Sequence, residues 1–294
     1  MLKHLNPVET TPARVVVLGT RGSVGAALAS LLSERRVATL LLGRHELDLT
    51  VADAHLRLAA KLRPDDALVL VSAVAPCKNA STLVENVKMM STVCSALTQS
   101  SVCHVVYISS DAVYRDSAEP LTENSCAEPQ SLHGAMHLAR ELMLKSTVNA
   151  PVAILRPSLL FGPTDTHDGY GPNRFLRLAS TREDIVLFGE GEERRDHVFI
   201  TDLAQLVFRV LMRRSVGTLN IATGEIISFR TIAEEIAGWF GVEIYETPRN
   251  GPMPHAGYRP FNIAACRASF PDFHYTPLNE ALRRTAAARY GKAS

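Results

Sequence analysis

The sequence predicts a doubly wound α/β fold, a parallel sheet wrapped by helices with a smaller second lobe attached, and three observations carry that expectation. Short apolar runs rich in Val, Ile and Leu recur along the first half: RVVVLG at 14–19, VATLLL at 37–42, ALVLVSA at 67–73, HVVYISS at 104–110 and VAILRPS at 152–158. Each run is continuous rather than alternating, the pattern of a strand buried on both faces, as strands of a parallel sheet are. Longer amphipathic stretches lie between them, as right-handed β-α-β crossovers require.

Taken in order, the stretches near 24–35, 51–62, 79–99 and 131–148 read as the crossover helices. After Pro157 the texture changes. Gly162, Pro163, Gly169, Gly171 and Pro172 crowd together, a second loop runs from Gly189 to Arg195, and four prolines fall between Pro248 and Pro260. Such punctuation marks a looser lobe. The expected division is 1–157 as a first domain and 158–294 as mainly a second lobe, with 196–222 returning to the first domain.

Composition limits the partners. The 294 residues are 46% hydrophobic, enough for a substantial core. The formal charge is +1 and no long block of one sign occurs, which disfavours nucleic acid and anionic membranes. A small molecule is the expected partner, and a homodimer the expected assembly if the chain self-associates. Five scattered cysteines without a C-x-x-C pair suit a reducing compartment. Residues 1–13 lack an apolar stretch of signal-peptide type, and no run approaches the length of a membrane span, so the cytoplasm is expected.

The first chemical signal is GTRGSVG, directly after the first apolar run and opening a helix. Gly19, Gly22 and Gly25 let the backbone turn tightly and approach a pyrophosphate, whose charge meets the free N–H groups and positive dipole end of the helix at Ser23 and Val24. Ala73, ending the third run, joins the candidate cofactor contacts. At the end of VATLLL, where an acidic residue usually takes the ribose hydroxyls, stands Gly43-Arg44. Arg21 and Arg44 would converge on the adenosine ribose and accept a 2′-phosphate, favouring NADP over NAD. Asp48 lies either near the adenine or at a helix N-cap.

These pieces, with ENVKMMSTV, SSDAVY at 109–114, RPSLLFGP at 156–163, RRDHVFITDLA at 194–204, GTLNIATGEIISFRTIAEEIA at 217–237 and the terminal LNEALRRT, resemble the extended short-chain dehydrogenases/reductases of the nucleotide-sugar epimerase/dehydratase kind. The resemblance covers nearly the whole chain. It implies a Rossmann-type domain, a nicotinamide dinucleotide and a nucleoside-diphosphate sugar between the lobes. GTRGSVG with GRHELDLT is similar to the NADPH-using epimerase-reductases that make GDP-fucose, and the length also suits the keto-sugar reductases of the rhamnose pathway.

The family places Tyr-x-x-x-Lys on the helix after SS-x-x-VY. Here His133 aligns with the Tyr and His137 with the Lys; Ser110 alone keeps the family's residue type. An unperturbed imidazole titrates near pH ~6.5, so His133 can carry a proton without a neighbouring ammonium, while His137 can hydrogen-bond a ribose hydroxyl with less reach and charge than lysine. Three readings stand side by side: a working oxidoreductase or epimerase with altered acid-base residues, a silenced site that binds a dinucleotide without turnover, and a metal pair needing a further ligand such as His104 or His167. No metal is expected. Glu123, Asp111 or Tyr114 are alternative carriers of the proton.

On the substrate side the resemblance puts Arg195 at the diphosphate. Arg259 in GYRP is a second phosphate candidate, and Asn173 a third contact or a helix cap. Arg194 reads as a solvated neighbour, Arg156 and Pro157 as strand end and lobe boundary, and Trp239 as core.

Overall fold

A computed structural model describes residues 2–165 and 169–291. The five apolar runs become the strands β2 (Arg14–Leu18), β3 (Thr39–Leu42), β4 (Asp66–Leu70), β5 (His104–Ile108) and β6 (Val152–Pro157), preceded by a short β1 (Lys3–His4). Two further segments of the second half, β7 (Leu159–Phe161) and β10 (His197–Phe199), pair in parallel apart from the sheet, and β8 (Ile185–Phe188) and β9 (Arg194–Arg195) lie between them in sequence. β11 (Ser215–Ile221) joins the main sheet, whose order is β1-β11-β6-β5-β4-β2-β3. All neighbours are parallel except β1 against β11. The doubly wound parallel sheet is the architecture expected from the continuous apolar runs.

The crossover helices are α1 (Ser23–Glu34), α2 (Ala54–Ala59), α3 (Ala80–Gln99) and α4 (Leu132–Thr147). Helix α2 is shorter than 51–62. Asp48 accepts from the Thr50 N–H at 2.9 Å and the Thr50 hydroxyl at 2.6 Å, fixing a turn that delays the helix start. β3 also departs from full burial, because it is an edge strand and leaves Leu41 exposed.

Two apolar clusters cover the sheet faces, one around Val15, Val17, Leu28 and Leu206, the other around Val16, Leu68, Met90 and Leu144. Helix α6 (Ile200–Met212) packs beside α1 on the first face. The second lobe has its own core of Phe161, Phe175, Phe229, Ile232 and Phe240, built from α5 (Pro172–Ser180), α7 (Phe229–Phe240) and α9 (Leu278–Tyr290). Short pairings of β12 (Ile227–Ser228) with β9, and of β13 (Ile244–Thr247) with β8, trim this lobe, and α8 (Ala264–Ser269) returns to β11. Trp239 is half-buried at the edge of that core, with the Arg283 guanidinium 4.6 Å over its ring. No helix among the described residues is long and apolar enough to cross a membrane.

Arg156 is more than a strand end. Its guanidinium grips the Glu141 carboxylate at 2.9 and 2.6 Å, both residues being buried, and Glu141 Oε1 also accepts from the Ser109 hydroxyl at 2.6 Å. A paired and hydrogen-bonded buried charge is tolerated where a lone one would not be. The network ties β5, β6 and α4 together directly beneath the carboxyl ends of the strands, where a ligand crevice opens in such sheets.

Candidate active site

The glycine loop is set by close packing. Gly19 has φ +102° and lies so near the segment that follows β4 that a Cβ would stand 2.5 Å from the Ser72 nitrogen; a Cβ on Gly25 would stand 2.1 Å from the Gly19 carbonyl oxygen. Those two glycines are demanded by the protein itself. Gly22 is different: a Cβ there would meet only the Gly19 oxygen at 3.7 Å, so its bareness leaves the N-terminus of α1 open to a ligand. Thr164 donates to the Ser23 carbonyl at 2.9 Å and Ser23 to Asp165 at 3.2 Å, which clasps the loop to the second lobe.

Two adjoining hollows flank this loop. The smaller, about 210 Å³, is lined by Gly19, Arg21, Gly22, Arg44, Asp48, Ala73 and Glu85 among others. Arg21 and Arg44 both line it, together with the carboxylates of Asp48 and Glu85. Arg44 pairs with Asp48 at 3.1 Å and Glu85 at 3.8 Å, and Glu46 folds back to accept from the Gly43 N–H at 2.8 Å. A carboxylate therefore does stand at the end of β3, three residues further along the chain.

The larger hollow, about 730 Å³, runs from Gly22, Ser23 and Val24 past Ala73 to Ser110, His133 and His137, with Asn173, Arg195 and His255 from the second lobe. Ser110 caps the short 3-10 turn Asp111–Val113, accepting from the Ala112 N–H at 3.2 Å. Helix α4 abuts this turn through Gly134, where a Cβ would lie 2.0 Å from the Ala112 carbonyl oxygen. Gly134 stands in the sequence between the two histidines, and only the packing reveals that it lets α4 press on the turn after Ser110, with His133 and Ser110 lining one hollow.

The two imidazoles lie edge to face with centroids 4.7 Å apart. His137 is buried and its Nδ1 is 2.8 Å from the Tyr107 hydroxyl. Burial holds its pKa well below the ordinary value, helped by the proximity of His133 and of the Arg140 guanidinium. His133 is also lowered, by burial, against an opposing pull from Asp111; its Nδ1 faces the Cys77 N–H at 3.5 Å. Burial pushes the Tyr107 phenol up to about 12, so it keeps its proton. Position 137 therefore presents a buried ring whose pKa is held down and not a fixed cation. The cation nearest in sequence, Arg140, donates to the Ser72 carbonyl at 2.7 Å, lies 5.2 Å from the Tyr107 ring and does not line the hollow.

The arginines of the second lobe part ways. Arg195 lines the hollow, 3.5 Å from Glu193 and 3.9 Å from Asp111, and its buried Nε has no partner among the described residues. Arg259 is sealed: its guanidinium donates to Asp111 Oδ2 and Asp116 Oδ1, both at 2.7 Å, and is 1% exposed. The expectation of a second phosphate contact there is corrected, because every strong donor already serves the loop that carries Ser110. Asn173 lines the hollow, yet its amide is committed to Gly162 and, at 2.6 Å, to Asp165; the helix cap is Gly171. Arg194 lies over the Tyr258 ring at 5.3 Å.

The alternative proton carriers fare unevenly. Glu123 accepts from the Asn220 N–H at 2.9 Å away from the hollow, and Tyr114, which does line the hollow, donates its hydroxyl to Asn220 at 2.6 Å. Asp111 faces the hollow but is held by Arg259. His104 bonds the Ser215 carbonyl at 2.7 Å at the opposite end of β5, far from the histidine pair in the fold, and His167 falls outside the described residues.

The model of the NAD dependent epimerase/dehydratase family matches residues 15–222. The chain is 30% identical over 140 residues to the dTDP-L-rhamnose 4-epimerase of Burkholderia thailandensis, covering 44% of this chain and 38% of that one. It is 23% identical over 284 residues to the GDP-L-fucose synthase of Escherichia coli, covering 82% and 86%. The first curated relatives are matched over about half their length. Among solved structures, the UDP-glucose 4-epimerase of Thermus thermophilus in complex with NAD superposes with a TM-score of 0.83 over 95% of this chain and 99% of that one, at 20% identity, a likeness of fold.

Proposed function

This chain belongs to the NAD-dependent epimerase/dehydratase family, and from that premise we propose that it is an NADP-dependent enzyme that reduces or epimerises a keto nucleoside-diphosphate sugar. The observation that carries the reading is that one hollow is walled by the glycine loop, by Ser110 with His133, and by Arg195 from the other lobe. Gly22, Ser23 and Val24 would hold the dinucleotide pyrophosphate at the start of α1, with Gly19, Gly25 and Ala73 shaping the approach. A nicotinamide held there would supply hydride transfer to or from the sugar carbon. Ser110 hydrogen-bonds the reacting oxygen, His133 carries the proton, and His137 donates to the nicotinamide ribose. Arg195, with its free Nε, takes the substrate diphosphate.

NADP is favoured by weighing two contacts of Arg44. In its pair with Asp48 the Arg44 side chain is largely exposed and the carboxylate partly so, and pairs near the surface contribute about 0–1 kcal/mol. Charged hydrogen bonds to a 2′-phosphate contribute about 1.5–3 kcal/mol, so Arg44 turns from the carboxylate to the phosphate and Arg21 adds a second contact. Calorimetry should find NADPH bound at least tenfold more tightly than NADH; equal affinities would refute the two-arginine argument.

A second reading draws on the neutral ring at 137, which cannot replace the charge of a lysine: the chain binds a dinucleotide without turnover, as a sensor or scaffold. Oxidation of NADPH in the presence of keto nucleotide sugars separates the two. Turnover establishes the enzyme. Tight dinucleotide binding with no turnover across a panel of nucleotides and sugars establishes the sensor.

A further inference from the structure

We infer that His133 and His137 form a tautomer-locked pair of hydrogen-bond donors, fixed by the Cys77 peptide N–H and the Tyr107 hydroxyl, so that the site receives a carbonyl oxygen rather than a hydroxyl awaiting deprotonation. The inference deepens the reading of the hollow as a keto-sugar site and rests on it.

The tautomers follow from counting donors and acceptors. Tyr107 is buried, and its hydroxyl has one hydrogen-bond partner among the described residues, His137 Nδ1 at 2.8 Å. If Nδ1 carried the proton, the phenol would accept and its own O–H would be left buried without an acceptor. The opposite arrangement satisfies both groups: Tyr107 donates, Nδ1 accepts, and the neutral ring carries its proton on Nε2. For His133 the argument is shorter. The Cys77 peptide N–H can only donate, so Nδ1, 3.5 Å away, presents its lone pair and Nε2 again bears the proton.

The charged surroundings agree. His137 faces His133 across 4.7 Å and Arg140 one turn along α4, both of which oppose a second positive charge. Arg140 is held in place by the Ser72 carbonyl and lies over the Tyr107 ring. His133 faces Asp111, whose Oδ2 is already taken by Arg259.

Both rings line the hollow, and both lone pairs point into the protein. A carbonyl oxygen can accept from the His133 N–H while the His137 N–H serves the ribose, as a neutral imidazole suits a carbonyl elsewhere in enzymology. A hydroxyl that must lose its proton needs an acceptor, which neither ring offers in this state. The site is therefore set for the keto form. Tyr107 does not line the hollow and acts as a positioning residue, through His137.

The test is nitrogen NMR of the full chain labelled in its histidine rings, at neutral pH without nucleotide, with His133→Asn and His137→Asn used for assignment. Both rings should report Nε2–H with a bare Nδ1. In Tyr107→Phe, His137 should become a mixture of tautomers while His133 stays unchanged. An Nδ1–H form or an imidazolium at either position in the unsubstituted chain would overturn the inference, as would a Tyr107→Phe variant with His137 unaltered. The unsubstituted spectrum decides the tautomers even if that variant does not fold. Because no substrate is present, failure here is distinct from failure to find turnover.

Discussion

The two ends of the large hollow are built by different physics. At the glycine-loop end, backbone meets backbone: Gly19 against the segment that follows β4 and Gly25 against Gly19 leave no space for a Cβ. At the α4 end, buried side chains set the geometry, with Asp111 under Arg259, Glu141 under Arg156 and two imidazoles under Tyr107 and Cys77. Steric necessity of the first kind leaves a mark at fixed spacing in the sequence. Partnerships of the second kind span up to 148 residues and leave none.

The largest effect should come from breaking the charged support of the α4 end. Arg259→Ala removes the guanidinium that Asp111 and Asp116 share beside the Ser110 turn, leaving Arg195 at 3.9 Å to Asp111 and His255 at 2.5 Å to Asp116, and removing one partner of a buried pair costs about 3–5 kcal/mol. Urea denaturation should show that loss, with activity falling in step. A variant as stable as the parent would mean that Arg259 is free for a ligand after all.

Next come the two forced glycines, which compare the ends directly. Gly25→Ala and Gly134→Ala each drive a Cβ to about 2 Å from a carbonyl oxygen, and overpacking of this kind costs about 1–3 kcal/mol. Fluorescence titration with NADPH should separate them: Gly25→Ala loses dinucleotide affinity, whereas Gly134→Ala keeps most of it and loses turnover because His133 moves from Ser110. Equal losses of affinity would mean that the ends are not independent.

Much of this was legible beforehand. The strands, their burial on both faces and the tight glycine turn before α1 follow from apolar runs and glycine spacing, because those features are local. The meeting of Ser110, His133 and Arg195 at one hollow follows once the fold is known. Other features resisted reading. Nothing near Arg259 in the sequence names Asp111 and Asp116 as its partners, and Glu46 reaches Gly43 only because the chain turns after β3. Tyr107 reads as one more strand residue, yet its hydroxyl fixes the state of His137.

A smaller effect distinguishes the two arginines that looked alike. Arg195→Ala leaves Glu193 with Arg249 at 3.2 Å, so stability should change little. Binding of a nucleoside-diphosphate sugar should weaken by about 2 kcal/mol while NADPH affinity holds. Isothermal titration with a panel of nucleoside diphosphates reads this, and unchanged binding would remove Arg195 from the substrate site.

The central claim, that His133 carries the proton in place of the family's tyrosine, is tested most directly by the rate of keto-sugar reduction across about pH 5 to 9 in the parent and in His133→Ala. Burial lowers the His133 pKa, so the ring is charged only below the ordinary histidine range. The reductive rate should be highest at the acid end and fall as pH rises through a midpoint below ~6.5, levelling off where the neutral Nε2–H remains as donor. His133→Ala should lose both the acid limb and about 100-fold or more of the plateau. An alanine variant that keeps the parent's rate and profile would contradict the account and place the proton chemistry on another group.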